Sequence, residues 1–289
     1  MFRGTSTAII TPFNSNNKID EEGLRRLVDF QEESGINTIV PCGSTGESAM
    51  LSHEEHIKVI EIVIDQAKKA KVVAGAGSNS TSEAVMLSKS AADLGADGIL
   101  SISPYYVKPT QEGIYLHFKA IAESIDIPIV VYNVPGRTGS NVEAETILRL
   151  AELSGIGAVK EASGNVSQVE KIINNRPKGF EVLSGDDMLT MPLMRLGADG
   201  VISVTSNCCP KEMSQMVDLF LEGRFDEGEK IHNALTPLFK DLFIETNPIP
   251  IKYVMNRLGY GNGLPRLPLT PLSSKCKGAL DPVLERMGL

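Results

Sequence analysis

Short apolar runs alternate with longer amphipathic stretches along most of the chain. The runs cover residues 7–10, 38–40, 72–74, 98–102, 129–132, 158–160, 182–184 and 201–204. Several are apolar at consecutive positions, as strands of a parallel sheet covered on both faces should be. The segments between them carry helix-start signals: Ser52 with Glu55, and Ser80 with Glu83, each spaced as an N-cap and its third-position carboxylate. Gly35, Gly95 and Gly197 stand where helices should stop. A faint repeat supports this division, because "LGADGILSIS" (94–103) and "LGADGVISVT" (196–205) both read helix end, turn, strand.

Eight such alternations in roughly the first 220 residues match the strand count and length of a (β/α)8 barrel. A doubly wound sheet is the alternative arrangement. After Cys209 no further strand pattern occurs, and "KEMSQMVDLFLEG", "EGEKIHNALTPLFKDLF" and "PIPIKYVMNRLG" read as helices. The expected organisation is a catalytic barrel over residues 1–224 and a helical extension over 225–289 packed on it.

With 289 residues, 42% of them apolar, the chain can fill one large domain. Acidic residues outnumber basic ones, 36 to 28, and the two signs are interspersed, so neither nucleic acid nor a membrane surface is an expected partner. Cys42, Cys208, Cys209 and Cys276 form no C-x-x-C pair and read as reduced, intracellular thiols. The apolar stretch near the N-terminus is short for a signal peptide, and no run approaches the roughly 18 residues of a membrane span. A cytoplasmic location is expected.

In a (β/α)8 barrel, catalytic groups come from the C-terminal ends of different strands. Here those ends run into "CGSTGES", "SPYYVKP", "YNVPGRTG", Lys160, "SGDD" and "SVTSN". A lysine whose pKa is lowered by burial or by a neighbouring cation attacks carbonyl carbon to form a Schiff base, and Lys160 is placed for that. The alternative for Lys160 is an emerging strand whose ammonium is solvated or paired with Glu161. Tyr132 ends an apolar run and can move protons through a hydroxyl relay, or can simply pack. Arg137 follows a Pro-Gly turn that suits a guanidinium held toward a carboxylate, with a surface arginine as the alternative. In "GSTGE", Gly43 and Gly46 let the backbone approach a ligand, while Ser44 and Thr45 supply hydroxyls and N–H groups for an anion.

Rival chemistries fit poorly. "GAGSNS" lacks the third glycine of a dinucleotide fingerprint, and "HEEH" is one residue short of the zinc protease pattern. His117 and His232 lie in helical patterns, which disfavours a serine hydrolase triad. The acids of "SGDD" follow the seventh strand, where barrels often hold phosphate, and so disfavour phosphorylated substrates. Neither a metal nor a cofactor is expected.

The series "GSTGE", "SPYYVKP", "YNVPGRTG", "VKEASGN", "LSGDD", "GVISVT" and "NPIPIK", in this order and spacing, resembles the dihydrodipicolinate synthase family, pyruvate-dependent class I aldolases of lysine and diaminopimelate biosynthesis. The resemblance runs from the first strand to "RLPLTP". It implies a barrel with C-terminal helices, usually a homotetramer. It implies that Lys160 forms a Schiff base with pyruvate, whose enamine adds to aspartate 4-semialdehyde to give 4-hydroxy-tetrahydrodipicolinate. By the same resemblance Thr45, Ile202 and Gly185 contact substrate, with Ser44 near the pyruvate carboxylate. Tyr132 moves protons through Ser44 and a Tyr106 supplied by a neighbouring subunit, and Arg137 receives the semialdehyde carboxylate.

Most members carry threonine where this chain has Ser44. Serine also occurs there in N-acetylneuraminate lyases, so a lyase or sugar-acid aldolase is the alternative, opposed by the arginine of "VPGRTG". A barrel that binds without turnover is a third reading, opposed by the joint presence of Lys160, Tyr132 and Arg137. Family members inhibited by lysine have an interface effector site that resembles Ser48, Ala49, His53, His56, Asn79, Glu83 and Tyr105 here. Feedback inhibition by lysine is therefore expected.

Overall fold

The computed structural model describes residues 2–289. Strands β1 (Gly4–Ala8), β2 (Thr38–Val40), β3 (Lys71–Gly75), β4 (Gly98–Ile102), β5 (Ile129–Asn133), β6 (Ile156–Glu161), β7 (Glu181–Ser184) and β8 (Gly200–Ser203) pair in parallel, each with the next, and β8 closes on β1. This is the expected (β/α)8 barrel, and the doubly wound alternative is excluded by that closure. Gly35, Gly95 and Gly197 adopt positive φ at helix ends, where a side chain would be strained.

The alternation of side chains along each strand divides the core into two layers. Ala8, Val40, Val73, Leu100, Val130, Ala158, Leu183 and Ile202 fill the barrel interior, with Phe2 among them. Ile39, Val72, Ile99, Ile129, Val131, Val159, Val182 and Val201 face outward and pack under the helices. The Phe2 ring lies against Gly98 and Gly157, at the opposite end of the strands from Tyr132 and Lys160. One end of the barrel is thus plugged by apolar packing, and the chemistry is left to the other.

The first strand differs from expectation. It begins at Gly4, three residues ahead of the apolar run, and its "GTSTA" sequence is buried throughout. Two of its three hydroxyls have partners: Thr7 Oγ1 donates to Gln31 Oε1 at 2.7 Å, and Thr5 Oγ1 to the Met213 carbonyl at 3.3 Å, while the buried Ser6 Oγ has none. The helix His53–Gln66 starts as expected, with a complete capping box between Ser52 and Glu55. The helix Thr81–Asp93 does not: Ser80 makes no side-chain cap, its Oγ lying 3.0 Å from Ser82 Oγ, and the Glu83 carboxylate is taken by Ser78 and His53.

Helix Pro210–Leu221 packs on β1 and β8, and Phe225–Asp241 packs on that helix. Helix Ile249–Arg257 touches the turn after β8, and a further helix, Ser274–Met287, lies against Phe225–Asp241. The last was not singled out from the sequence; like Phe225–Asp241 it carries an interior proline, Pro282. No helix among the described residues is long and apolar enough to cross a membrane.

Candidate active site

Lys160 follows Ala158 by two positions on β6, so it shares that residue's inward orientation. Glu161 takes the opposite face. Its carboxylate accepts from Asn133 Nδ2 at 2.6 Å, Ser163 Oγ at 2.9 Å and Gln168 Nε2 at 3.2 Å, outside the barrel interior. The alternative in which Lys160 is solvated or paired with Glu161 therefore fails. The lysine is only 5% exposed. Burial is the main cause that lowers its pKa from 10.5 to about 7; the nearby Asp187 carboxylate opposes this and the Arg137 guanidinium assists it. A buried amine of this kind is substantially unprotonated near neutral pH.

Tyr132 is the register partner of Lys160 on β5, and the lysine Nζ lies 4.3 Å from the centroid of its ring. Burial raises the phenol pKa; Arg137 and the Ser44 side chain pull it back. The phenol stays protonated at neutral pH and can give up its proton only to a partner that shares the site. Ser44 and Thr45 come from the turn after β2, Ser44 half-buried and Thr45 buried. Arg137 lies in the short helix Pro135–Thr138 after β5, exposed at the rim, and donates to the Asn247 carbonyl at 3.0 Å.

Ile202 points inward from β8 and is buried. Gly185, at the end of β7, lies against the lysine stem: a Cβ there would fall 3.0 Å from Lys160 Cε and 2.8 Å from Ala162 Cβ. Its absence of a side chain makes room for the lysine. Tyr106 stands apart from the others, 86% exposed with φ 69°, so within its own chain it does not join Tyr132 and Ser44.

A cavity of about 490 Å³ begins at Ser44, Arg137 and Asn247 and extends to Ser48, Ala49, His53, His56, Glu83 and Tyr105. Six of the seven residues expected at the effector site line it; Asn79, in the loop after β3, does not. Glu83 is engaged on both oxygens, by Ser78 and by His53 Nε2 at 2.6 Å, and these bonds hold its pKa down. His56 Nε2 is 2.6 Å from the Gly75 carbonyl, so the two histidines of "HEEH" have separate partners.

Residues 1–287 match the Dihydrodipicolinate synthetase family. The chain belongs to this family. It is 51% identical over 288 residues to 4-hydroxy-tetrahydrodipicolinate synthase of Chloroherpeton thalassium, an alignment covering 99% of this chain and 95% of the relative. The crystal structure of dihydrodipicolinate synthase from Aquifex aeolicus superposes with a TM-score of 0.98 at 46% identity, covering 100% of this chain and 99% of that one. That of the enzyme from Cyanidioschyzon merolae with lysine bound superposes with a TM-score of 0.97 at 41% identity, covering 100% and 99%. The family makes this chain a class I aldolase-type lyase of lysine and diaminopimelate biosynthesis, condensing pyruvate with aspartate 4-semialdehyde.

Two members of the site escaped sequence reasoning. Asn247 donates from Nδ2 to Thr45 Oγ1 at 2.9 Å while its carbonyl receives Arg137, joining two strand-end loops. Its signal lay in "NPIPIK", which marked the family without marking a role. Asp187 is 2% exposed; its Oδ2 accepts from Thr205 N at 2.8 Å and Thr205 Oγ1 at 2.7 Å. It fastens the end of β7 to the turn after β8 and puts a carboxylate near the lysine, so "SGDD" serves the site internally.

Proposed function

We propose that Lys160 Nζ attacks the keto carbon of pyruvate, and that loss of water gives a protonated Schiff base. Departure of a methyl proton then yields the enamine, whose carbon attacks the aldehyde of aspartate 4-semialdehyde. The amino group of the semialdehyde displaces Lys160 from the imine carbon, which closes the ring and returns the enzyme. The observation that carries this reading is an inward lysine, almost fully buried, with its pKa lowered to about 7 beside the protonated Tyr132 phenol.

Thr45 and Ser44 hold the pyruvate carboxylate, Ile202 and Gly185 border the bound ketoacid, and Tyr132 moves protons through Ser44. Arg137, exposed at the rim, takes the carboxylate of the semialdehyde. Tyr106 completes the relay of a neighbouring subunit in a homotetramer, a role that suits an aromatic side chain turned away from its own barrel. The barrel of residues 1–224 is the catalytic unit, carrying 225–289 as its packed extension, and the enzyme works in the cytoplasm without metal or cofactor. Incubation with pyruvate and sodium borohydride should add one pyruvate-derived mass to Lys160. An unmodified lysine would falsify the Schiff-base route, and turnover of N-acetylneuraminate matching that of the semialdehyde would reassign the substrate.

Lysine acts as a feedback inhibitor in the part of the cavity lined by His53, His56, Glu83 and Tyr105. The lysine-bound structural neighbour supports this, as does the Glu83 carboxylate, which suits an ammonium group. Activity should fall at millimolar lysine, and a rate unaffected there would remove the assignment.

A further inference from the structure

The loop that carries Ser44 and Thr45 is gripped from outside the barrel. Glu47, three positions after Ser44, adopts φ 60°, a left-handed conformation that a non-glycine residue keeps only when its surroundings enforce it. It is 1% exposed, and its Oε1 meets Lys252 Nζ from helix Ile249–Arg257, also 1% exposed. Its Oε2 accepts from the Arg266 backbone N–H at 2.8 Å. Lys252 Nζ also donates to the Thr11 carbonyl at 3.1 Å and lies 3.9 Å from the Phe13 ring centroid; the Arg266 guanidinium lies 4.3 Å from the same centroid. Thr11 Oγ1 in turn donates to the Gly46 carbonyl at 2.7 Å. On the other side of the loop Asn247, from the same "NPIPIK" segment as Lys252, donates to Thr45 Oγ1 at 2.9 Å.

A buried ion pair is a poor way to gain stability, since desolvating both charges offsets most of their attraction, and an apolar pair of similar volume does as well or better. What it supplies is geometry: breaking it strands a charge, so the loop has one place to be. We propose that Glu47 and Lys252 are positioning residues that tie the Ser44–Thr45 loop to the C-terminal helices. Through that tie they set the aim of the hydroxyls holding the substrate carboxylate. Part of Glu47 lines the cavity, but its carboxylate is committed to Lys252 and Arg266. The inference rests on the reading that Thr45 and Ser44 hold pyruvate.

Lys252→Met alone leaves Glu47 charged and unpaired, so the informative protein is the double variant Glu47→Gln/Lys252→Met, which loses both charges together. Folded, with a wild-type circular dichroism spectrum, it should show a pyruvate KM raised about tenfold or more. Its semialdehyde KM should move less than about twofold, and Lys160 should still be trapped by borohydride at saturating pyruvate. A folded double variant with the wild-type pyruvate KM overturns the proposal. Should it not fold, Phe13→Leu decides, because it removes the ring beneath both cations without stranding a charge. A rise of about threefold in pyruvate KM is expected there, and no rise overturns the proposal. Failure to trap the wild-type lysine would instead remove the premise, which keeps the two outcomes distinct.

Discussion

Lys160 shows how one side chain can be cheap to encode and costly to place. An ammonium in the barrel interior loses hydration, so its pKa falls to about 7 and the neutral amine is well populated at neutral pH. Because the free amine is the attacking species, the initial rate of borohydride trapping should rise with pH through about 7 and level off above it. A rate that climbs only near pH 10 would mean an unperturbed lysine. The same displacement bears on stability. Between pH about 7 and 10.5 the folded state holds fewer protons than the unfolded state, so stability rises across that window and the penalty is complete below it. Lys160→Met should therefore unfold at a higher denaturant concentration than wild type at pH 7, by an amount that shrinks toward pH 10.

Elements matter here by where they end. Strand alternation sends Tyr132, Lys160 and Ile202 inward and Glu161 outward, and parallel register sets Tyr132 beside Lys160. The helix His53–Gln66 has a comparable function at its start. Ser52 and Glu55 cap one another, Glu55 also receives Arg266 Nη2 at 2.7 Å, and His53 and His56 are carried into the cavity. Ser52→Ala should cost about 1 kcal/mol through the lost cap. Its sharper effect should be a severalfold rise in the lysine concentration giving half inhibition, with pyruvate KM unchanged. Inhibition identical to wild type would show that the cap does not serve the effector site. Both capping signals were visible in the sequence. Only the first formed: the Ser80 N–H donates to Ser78 Oγ, the Ser80 hydroxyl lies against Ser82, and the Glu83 carboxylate is taken by Ser78 and by His53, which folding brings near.

At the scale of the whole molecule, the exposed Tyr106 makes the assembly testable. If Tyr106 serves a neighbour's site, Lys160→Met and Tyr106→Phe impair different protomers. Mixing the two and allowing subunits to exchange should restore activity, since a protomer with intact Lys160 then receives an intact tyrosine. No recovery after verified exchange would place Tyr106 outside the relay. The cavity that runs from Arg137 to Glu83 joins the mouth of the barrel to the proposed effector residues within a single chain, with residues 47–51 lining it between them.

The sequence by itself determined the eight alternations, the strand ends that carry Ser44, Thr45, Tyr132, Arg137 and Lys160, and the family. These are local or ordered features, and periodicity and motif spacing preserve them. Tertiary structure decided what depends on contacts between distant segments. It separated Lys160 from Glu161, put Gly185 against the lysine stem, and recruited Asn247 and Asp187. It also lowered the lysine's pKa, because desolvation belongs to an enclosure formed by many strands and to no single stretch of chain.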